Sequence, residues 1–165
     1  MNKIKYYLDK IVEFITIFLF SFMIIITTWQ VISRYILKNP STTSEEFIRF
    51  SLIWLSMLAA AYVVGKKSHI SITLFSDSLS SQKRKIIDAF IQFSFLIFAI
   101  IILIFGGLKA VSLTMEQISP SLNLPMGYVY LALPVSGLLI IIYSIINIIN
   151  IFQDKRTINS IDEMG

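Results

Sequence analysis

Apolar residues dominate this chain in four long runs, and its polar residues gather between them. The first run carries no charge from Phe14 to Ser33, and the third carries none from Ala89 to Leu108. The second extends from Phe47 to Gly65 with Arg49 as its one charge, and the fourth extends from Met126 to Ile151. A helix of roughly 20 apolar residues crosses the hydrocarbon core of a bilayer, so each run predicts one transmembrane helix. The reading is an all-α integral membrane protein with four transmembrane helices in a single domain over 1–165. The predicted spans are 12–36, 45–65, 86–117 and 126–151, followed by a polar tail at 154–165.

The breaks carry their own signals. Lys38-Asn39-Pro40 interrupts the first pair of runs, and the hydroxyl stretch Ser41 to Ser44 precedes Glu45 and Glu46, a helix-start pattern. Gly65-Lys66-Lys67 is a helix stop. A mixed segment follows at 68–85, and its Ile70, Ile72, Leu74 and Phe75 suit a stretch lying on the membrane surface. Ser119-Pro120 and Pro125 bracket a short turn. Pro134 removes one backbone hydrogen bond from the fourth run and predicts a bend there.

Charge sets the orientation. Lys3, Lys5 and Lys10, the middle group Lys66, Lys67, Lys83, Arg84 and Lys85, and the tail pair Lys155 and Arg156 fall on one side. Only Arg34, Lys38, Arg49 and Lys109 fall on the other. The positive-inside rule predicts that both termini and the middle connection are cytoplasmic. Trp29, Tyr35, Tyr128 and Tyr130 then belong to the outer interface, and Tyr6, Tyr7 and Tyr62 to the inner one. Lys3, Lys5 and Lys10 also suit the basic start of a signal peptide. The uncharged run of 20 residues is too long for one, however, and no small-residue cleavage site follows. It is read as a retained span.

Composition agrees with lipid as the solvent. Hydrophobic residues make up 56% of the chain and charged residues 15%, against about 25% charged in a soluble domain. The net charge of +4 is explained by topology rather than by nucleic acid. With no cysteine, disulfides, thiolate catalysis and cysteine-ligated metal are excluded. His69 is the one histidine, so the chain cannot ligate a haem through two of its own. No nucleophile–base constellation, phosphate loop or metal-ligand spacing is present, and no metal or other cofactor is expected in this chain. The reading is not an enzyme.

Three groups are candidates for a role. Arg49 shares a helical face with Glu45 and Glu46, at spacings of four and three. Two readings are open: a docking or packing site for a partner protein, or a capped helix end with a snorkelling arginine. Trp29, Gln30 and Arg34 form a second group, in which Arg34 approaches Glu45 or Glu46 once the hairpin closes. An interfacial belt is its plainer reading. Lys109 and Glu116 form a third, beside Gly106 and Gly107, which permit close helix approach. Mid-membrane charge is nearly absent, whereas a chain that moves ions itself needs polar groups at the midplane. The chain reads as scaffold.

Trp29-Gln30-Val31, Arg34-Tyr35, Pro40, Glu45-Glu46, Arg49 and Trp54, followed by Ala59-Ala60-Ala61 and Lys67-x-His69-Ile70, resemble the small membrane subunit of TRAP transporters, the DctQ type. Thr43 departs from the pattern, since many members carry an aromatic there. The resemblance implies a subunit of a sodium-coupled importer of an organic acid, such as a dicarboxylate or a sialic acid, in a bacterial inner membrane. It implies pairing with a large membrane subunit that holds substrate and sodium, and help in docking a periplasmic substrate-binding protein. The residues expected at partner contacts are Arg34, Glu45, Glu46 and Arg49. Trp29, Gln30, Tyr35, Trp54, Gly106 and Gly107 are expected at helix-packing or interface positions. The alternative is a self-sufficient small carrier or channel that forms homo-oligomers.

Overall fold

The computed structural model describes residues 2–66 and 81–162. Lys67, His69 and Ile70, with the rest of the connection to residue 80, lie outside the described residues. The described chain is helical apart from its connections. Helix α1 is Asn2–Tyr35 and α2 is Thr42–Lys66. Helix α3, Ser81–Phe98, continues through a π-helical segment, Ala99–Gly106, into α4, Gly107–Thr114. Helix α5 is the short Gly127–Tyr130, and α6 is Ala132–Asp162. Four stretches are long and apolar enough to cross a membrane: Lys3–Tyr35, Thr42–Lys66, Ile86–Thr114 and Gly127–Ile151. They are called the first to fourth spans.

Local chemistry explains most of the boundaries. Ser41 caps α2: its Oγ accepts from Ser44 N–H at 3.3 Å, and its carbonyl accepts from Glu45 N–H at 3.3 Å. Before it, Lys38 turns the chain at φ 51°, and Asn39 N–H returns to Ser33 C=O at 3.1 Å while Ser33 Oγ donates to Asn39 C=O. Helix α1 begins well before the apolar run because its first turns hold polar side chains that find partners on other helices. The third span ends at Thr114, and a small hairpin follows in which Ile118 and Pro125 form an antiparallel bridge. Pro134 offers no N–H to the Tyr130 carbonyl, and the helix is interrupted at Leu131, just before α6 begins.

The spans form an open row. Helix α1 packs on α2, α2 packs on α6, and α6 packs on α3 and the π-helical segment. The order in space is therefore first, second, fourth, third. Half of the residues in the apolar stretch of the fourth span are buried, against 11% in the first and 17% in the third. Buried Ala61 and Val64 of α2, Ala99 and Leu103 of the π-helical segment, and Ile140 of α6 form one apolar cluster. The two ends of the row are distinct. The hairpin end carries the 36–41 and 115–126 connections, and the terminal end carries the start of α1 and the end of α2.

Lipid tails are as apolar as these side chains, so hydrophobicity does not drive the helices together, and close van der Waals fit must. Glycine supplies it at defined points. A methyl on Gly107 would stand 2.9 Å from Leu133 Cβ and 3.0 Å from Pro134 Cδ. A methyl on Gly137 would stand 2.8 Å from Leu103 Cβ. Gly106, next in sequence to Gly107, has only its own helix's Ile101 carbonyl nearby, at 3.8 Å. Gly107→Ala should therefore cost about 1–3 kcal/mol through overpacking against stiff Cβ and proline atoms, while Gly106→Ala should be neutral or slightly stabilising. Thermal unfolding of the two variants in detergent measures the difference.

Candidate functional site at the hairpin end

The hairpin end gathers charge from two connections. Arg34, in the last turn of α1, reaches Glu45 in the first turn of α2, with Nη2 3.6 Å from Oε2. Arg49, one turn further along α2, stands 3.8 Å from Oε1 of the same carboxylate. The Glu45 side chain is 48% exposed and both arginines are more so. Exposed pairs of this kind contribute little to stability. They present two cations around one anion at the surface. Trp29 and Tyr35 are exposed nearby, whereas Gln30 and Trp54 are partly covered.

Glu46 is placed differently from its neighbour. It is 8% exposed and turns inward, away from both arginines. Its Oε2 accepts from Ser121 N–H and Leu122 N–H, each at 2.9 Å, and from Ser119 Oγ at 3.2 Å. The turn that supplies these donors closes on itself. Ser119 N–H donates to Leu124 C=O at 2.9 Å, Met126 N–H donates to Gln117 C=O at 2.7 Å, and Asn123 sits at φ 52°. Successive backbone N–H groups in such a turn converge on an anion, and here the anion comes from another helix. One carboxylate thus fastens the connection between the third and fourth spans to the start of the second. Adjacent glutamates, indistinguishable by spacing alone, take opposite roles: Glu45 faces out and Glu46 holds the rim together.

A second polar group lies at the terminal end, and charge counting does not reveal it. Asp9 of α1 pairs with Lys66 of α2 at 3.1 Å. Lys5 donates to Asn147 Oδ1 at 2.9 Å, and Asn147 Nδ2 donates to Val64 C=O at 3.2 Å. The sequence does hold a signal. Ser136, Tyr143, Ser144 and Asn147 recur at near-helical spacing on one face of the fourth span, and each is fully buried.

A groove of about 410 Å³ runs along α1, lined by Phe20, Met23, Ile24, Thr27, Thr28, Val31 and Ile32. The Thr28 hydroxyl is already bonded to Ile24 C=O at 2.9 Å. Such an apolar groove suits a lipid chain or a neighbouring helix, not an anionic solute. Among the described residues, no group of three or more His, Cys, Asp or Glu is placed to hold a metal ion.

Residues 23–154 match the family profile of tripartite ATP-independent periplasmic transporters, DctQ component. A TRAP transporter small permease protein of Haemophilus influenzae is 29% identical over 156 residues, covering 93% of this chain and 94% of that protein. The sialic acid TRAP transporter small permease protein SiaQ of Vibrio cholerae is 24% identical over 153 residues, covering 93% of this chain and 88% of its own. The isethionate TRAP transporter permease protein DctMQ of Oleidesulfovibrio alaskensis is 34% identical over 121 residues, which is 69% of this chain but 19% of that longer protein.

Removing the buried carboxylate and removing the exposed one should have different consequences. Glu46→Ala leaves two backbone N–H groups and a hydroxyl without their acceptor and should loosen the 119–124 turn by on the order of 2–3 kcal/mol. Glu45→Ala should change it by less than about 1 kcal/mol. Amide hydrogen exchange at Ser121 and Leu122 reads both.

Proposed function

This chain belongs to the DctQ family of TRAP transporter small permease subunits, and we propose that it works as a fixed membrane scaffold beside a large permease subunit. In this reading it is a multi-pass protein of the bacterial inner membrane. The large subunit holds the substrate and the sodium ions. The hairpin end faces the periplasm, and both termini and the middle connection are cytoplasmic, as ten of the fourteen Lys and Arg residues favour. The cargo is an organic acid anion, such as a dicarboxylate or a sialic acid, imported with sodium.

The observation that carries the scaffold reading is where the charge lies. The central stretches 14–33, 50–65 and 89–108 contain no Asp, Glu, Lys, Arg or His, and the groove on α1 is apolar. An ion or a carboxylate crossing the bilayer needs polar groups at the midplane. Those groups then belong to another chain. A pairing with a large permease draws support from DctMQ, where the segment similar to this chain occupies about a fifth of one longer permease protein.

The hairpin end supports the docking part of the reading. Arg34, Glu45 and Arg49 present alternating charge at the surface, and Glu46 holds the adjacent turn in shape. A soluble binding protein that delivers substrate needs a rigid polar platform, because complementary charge steers encounter and sets register. The test is reconstitution into liposomes with an inward sodium gradient. Uptake is expected only when this chain, the large subunit and the binding protein are all present. Reversing Glu45 and Arg49 together with Arg34 (E45K, R49E, R34E) should lower uptake at limiting binding protein, with insertion unchanged. Uptake by this chain alone would instead establish the self-sufficient carrier.

A further inference from the structure

The first span is the least enclosed part of the row, and α2 is its main packing partner. Its seam with α2 is one side of the helix, and residues such as Phe14, Ile17, Phe18 and Ile25 on its other sides are exposed. Apolar packing by itself gives lipid-solvated helices little preference for one arrangement. At the terminal end, however, polar groups cross between helices at consecutive turns. Asp9, 8% exposed, sends Oδ2 to Lys66 Nζ at 3.1 Å. One turn earlier on the same face, Lys5 Nζ donates to Asn147 Oδ1 at 2.9 Å. Asn147 is fully buried, and its Nδ2 donates to Val64 C=O at 3.2 Å. That carbonyl belongs to the last turn of α2, where a helix has no N–H of its own to offer.

The surroundings tighten this arrangement. The Lys66 ammonium lies 5.2 Å from the centre of the Tyr62 ring. The Tyr143 ring occupies the space that a side chain on Gly65 would need. Asp9 thus engages α2 through Lys66, while Lys5 engages α6 through Asn147. A carboxylate in this position is costly without its cation, so the helix that carries it is held wherever the cation is.

We propose that Asp9–Lys66 and Lys5–Asn147 form a polar latch that fastens the first span to the second and fourth, and that this latch, rather than the apolar seam, keeps the first span closed. The latch is a property of this chain and stands apart from the docking role of the hairpin end. Opening it frees the start of α1 while α2 and α6 stay packed.

The natural chain has no cysteine, so single thiols can report on it without interference. Val12 is 3% exposed and lies one turn beyond Asp9 on the packed face of α1. Ile140, 4% exposed, lies in the α2–α6 core. The full chain, carrying Val12→Cys or Ile140→Cys, is placed in membrane vesicles opened to a water-soluble maleimide on both sides. In the otherwise unaltered chain both thiols should be protected. Adding Asp9→Ala or Lys66→Ala should speed labelling at position 12 by at least about tenfold, since breaking a buried pair strands its partner, and should leave position 140 protected. The exchanged pair, Asp9→Lys with Lys66→Asp, should restore protection at position 12. If Asp9→Ala fails to insert, Asp9→Asn, which keeps the shape and removes the charge, takes its place. The proposal is overturned by unchanged labelling at position 12, by equal exposure of position 140, or by an exchanged pair that stays as reactive as the single variants.

Discussion

An ionised side chain at the edge of a bilayer must be paired or must reach water, and this protein meets that requirement in two layers separated by an interior without charged side chains. At the hairpin end, the Glu46 carboxylate takes the N–H groups of Ser121 and Leu122 and so ties the third-to-fourth connection to the second span. At the terminal end, Asp9 and Asn147 draw the first span toward the second and fourth. Between the layers, helices meet through glycine and small side chains, because lipid offers no hydrophobic reason for them to meet otherwise. The polar contacts choose the arrangement and the close packing completes it.

An open row follows from this division of labour. A closed bundle would bury most of each span, but here the second and fourth spans are the inner ones and the first and third present broad apolar surfaces. In the proposed scaffold role, a small permease subunit built this way would add width to a membrane assembly. Its charged side chains sit where they hold connections in shape or meet water, which is the distribution a fixed support needs and a conducting path does not.

Much of this was legible in the residues. Four apolar runs announce four spans through the length a helix needs to cross lipid, and the hydroxyl residue Ser41 announces the start of α2 through the cap it makes. The proximity of Arg34 to Glu45 follows from a short connection between antiparallel helices. Other features depend on tertiary geometry. Spacing places Glu45 and Glu46 equally near Arg49, and only the turn at 119–124 decides that Glu46 points inward. Gly106 and Gly107 look alike in sequence, but Gly107 alone faces Leu133 and Pro134. The Asp9 contacts are hidden for a different reason: topology accounts for the lysines around Asp9, and an acid among them adds nothing to a count of basic residues. Its i, i+4 relation to Lys5, set against the polar face of the fourth span, was the available signal. Nothing in the side chains of the π-helical segment, nearly all apolar, marks its departure from α-helical winding.

The account stands on the two polar layers lying on opposite faces of one membrane. Because the chain lacks cysteine, that is directly measurable with single thiols and a membrane-impermeant reagent on intact cells. Thr43→Cys at the hairpin end should label from outside, and Lys3→Cys at the terminal end should label only after the membrane is opened. Labelling of both from outside, or of position 3 alone, would contradict the account.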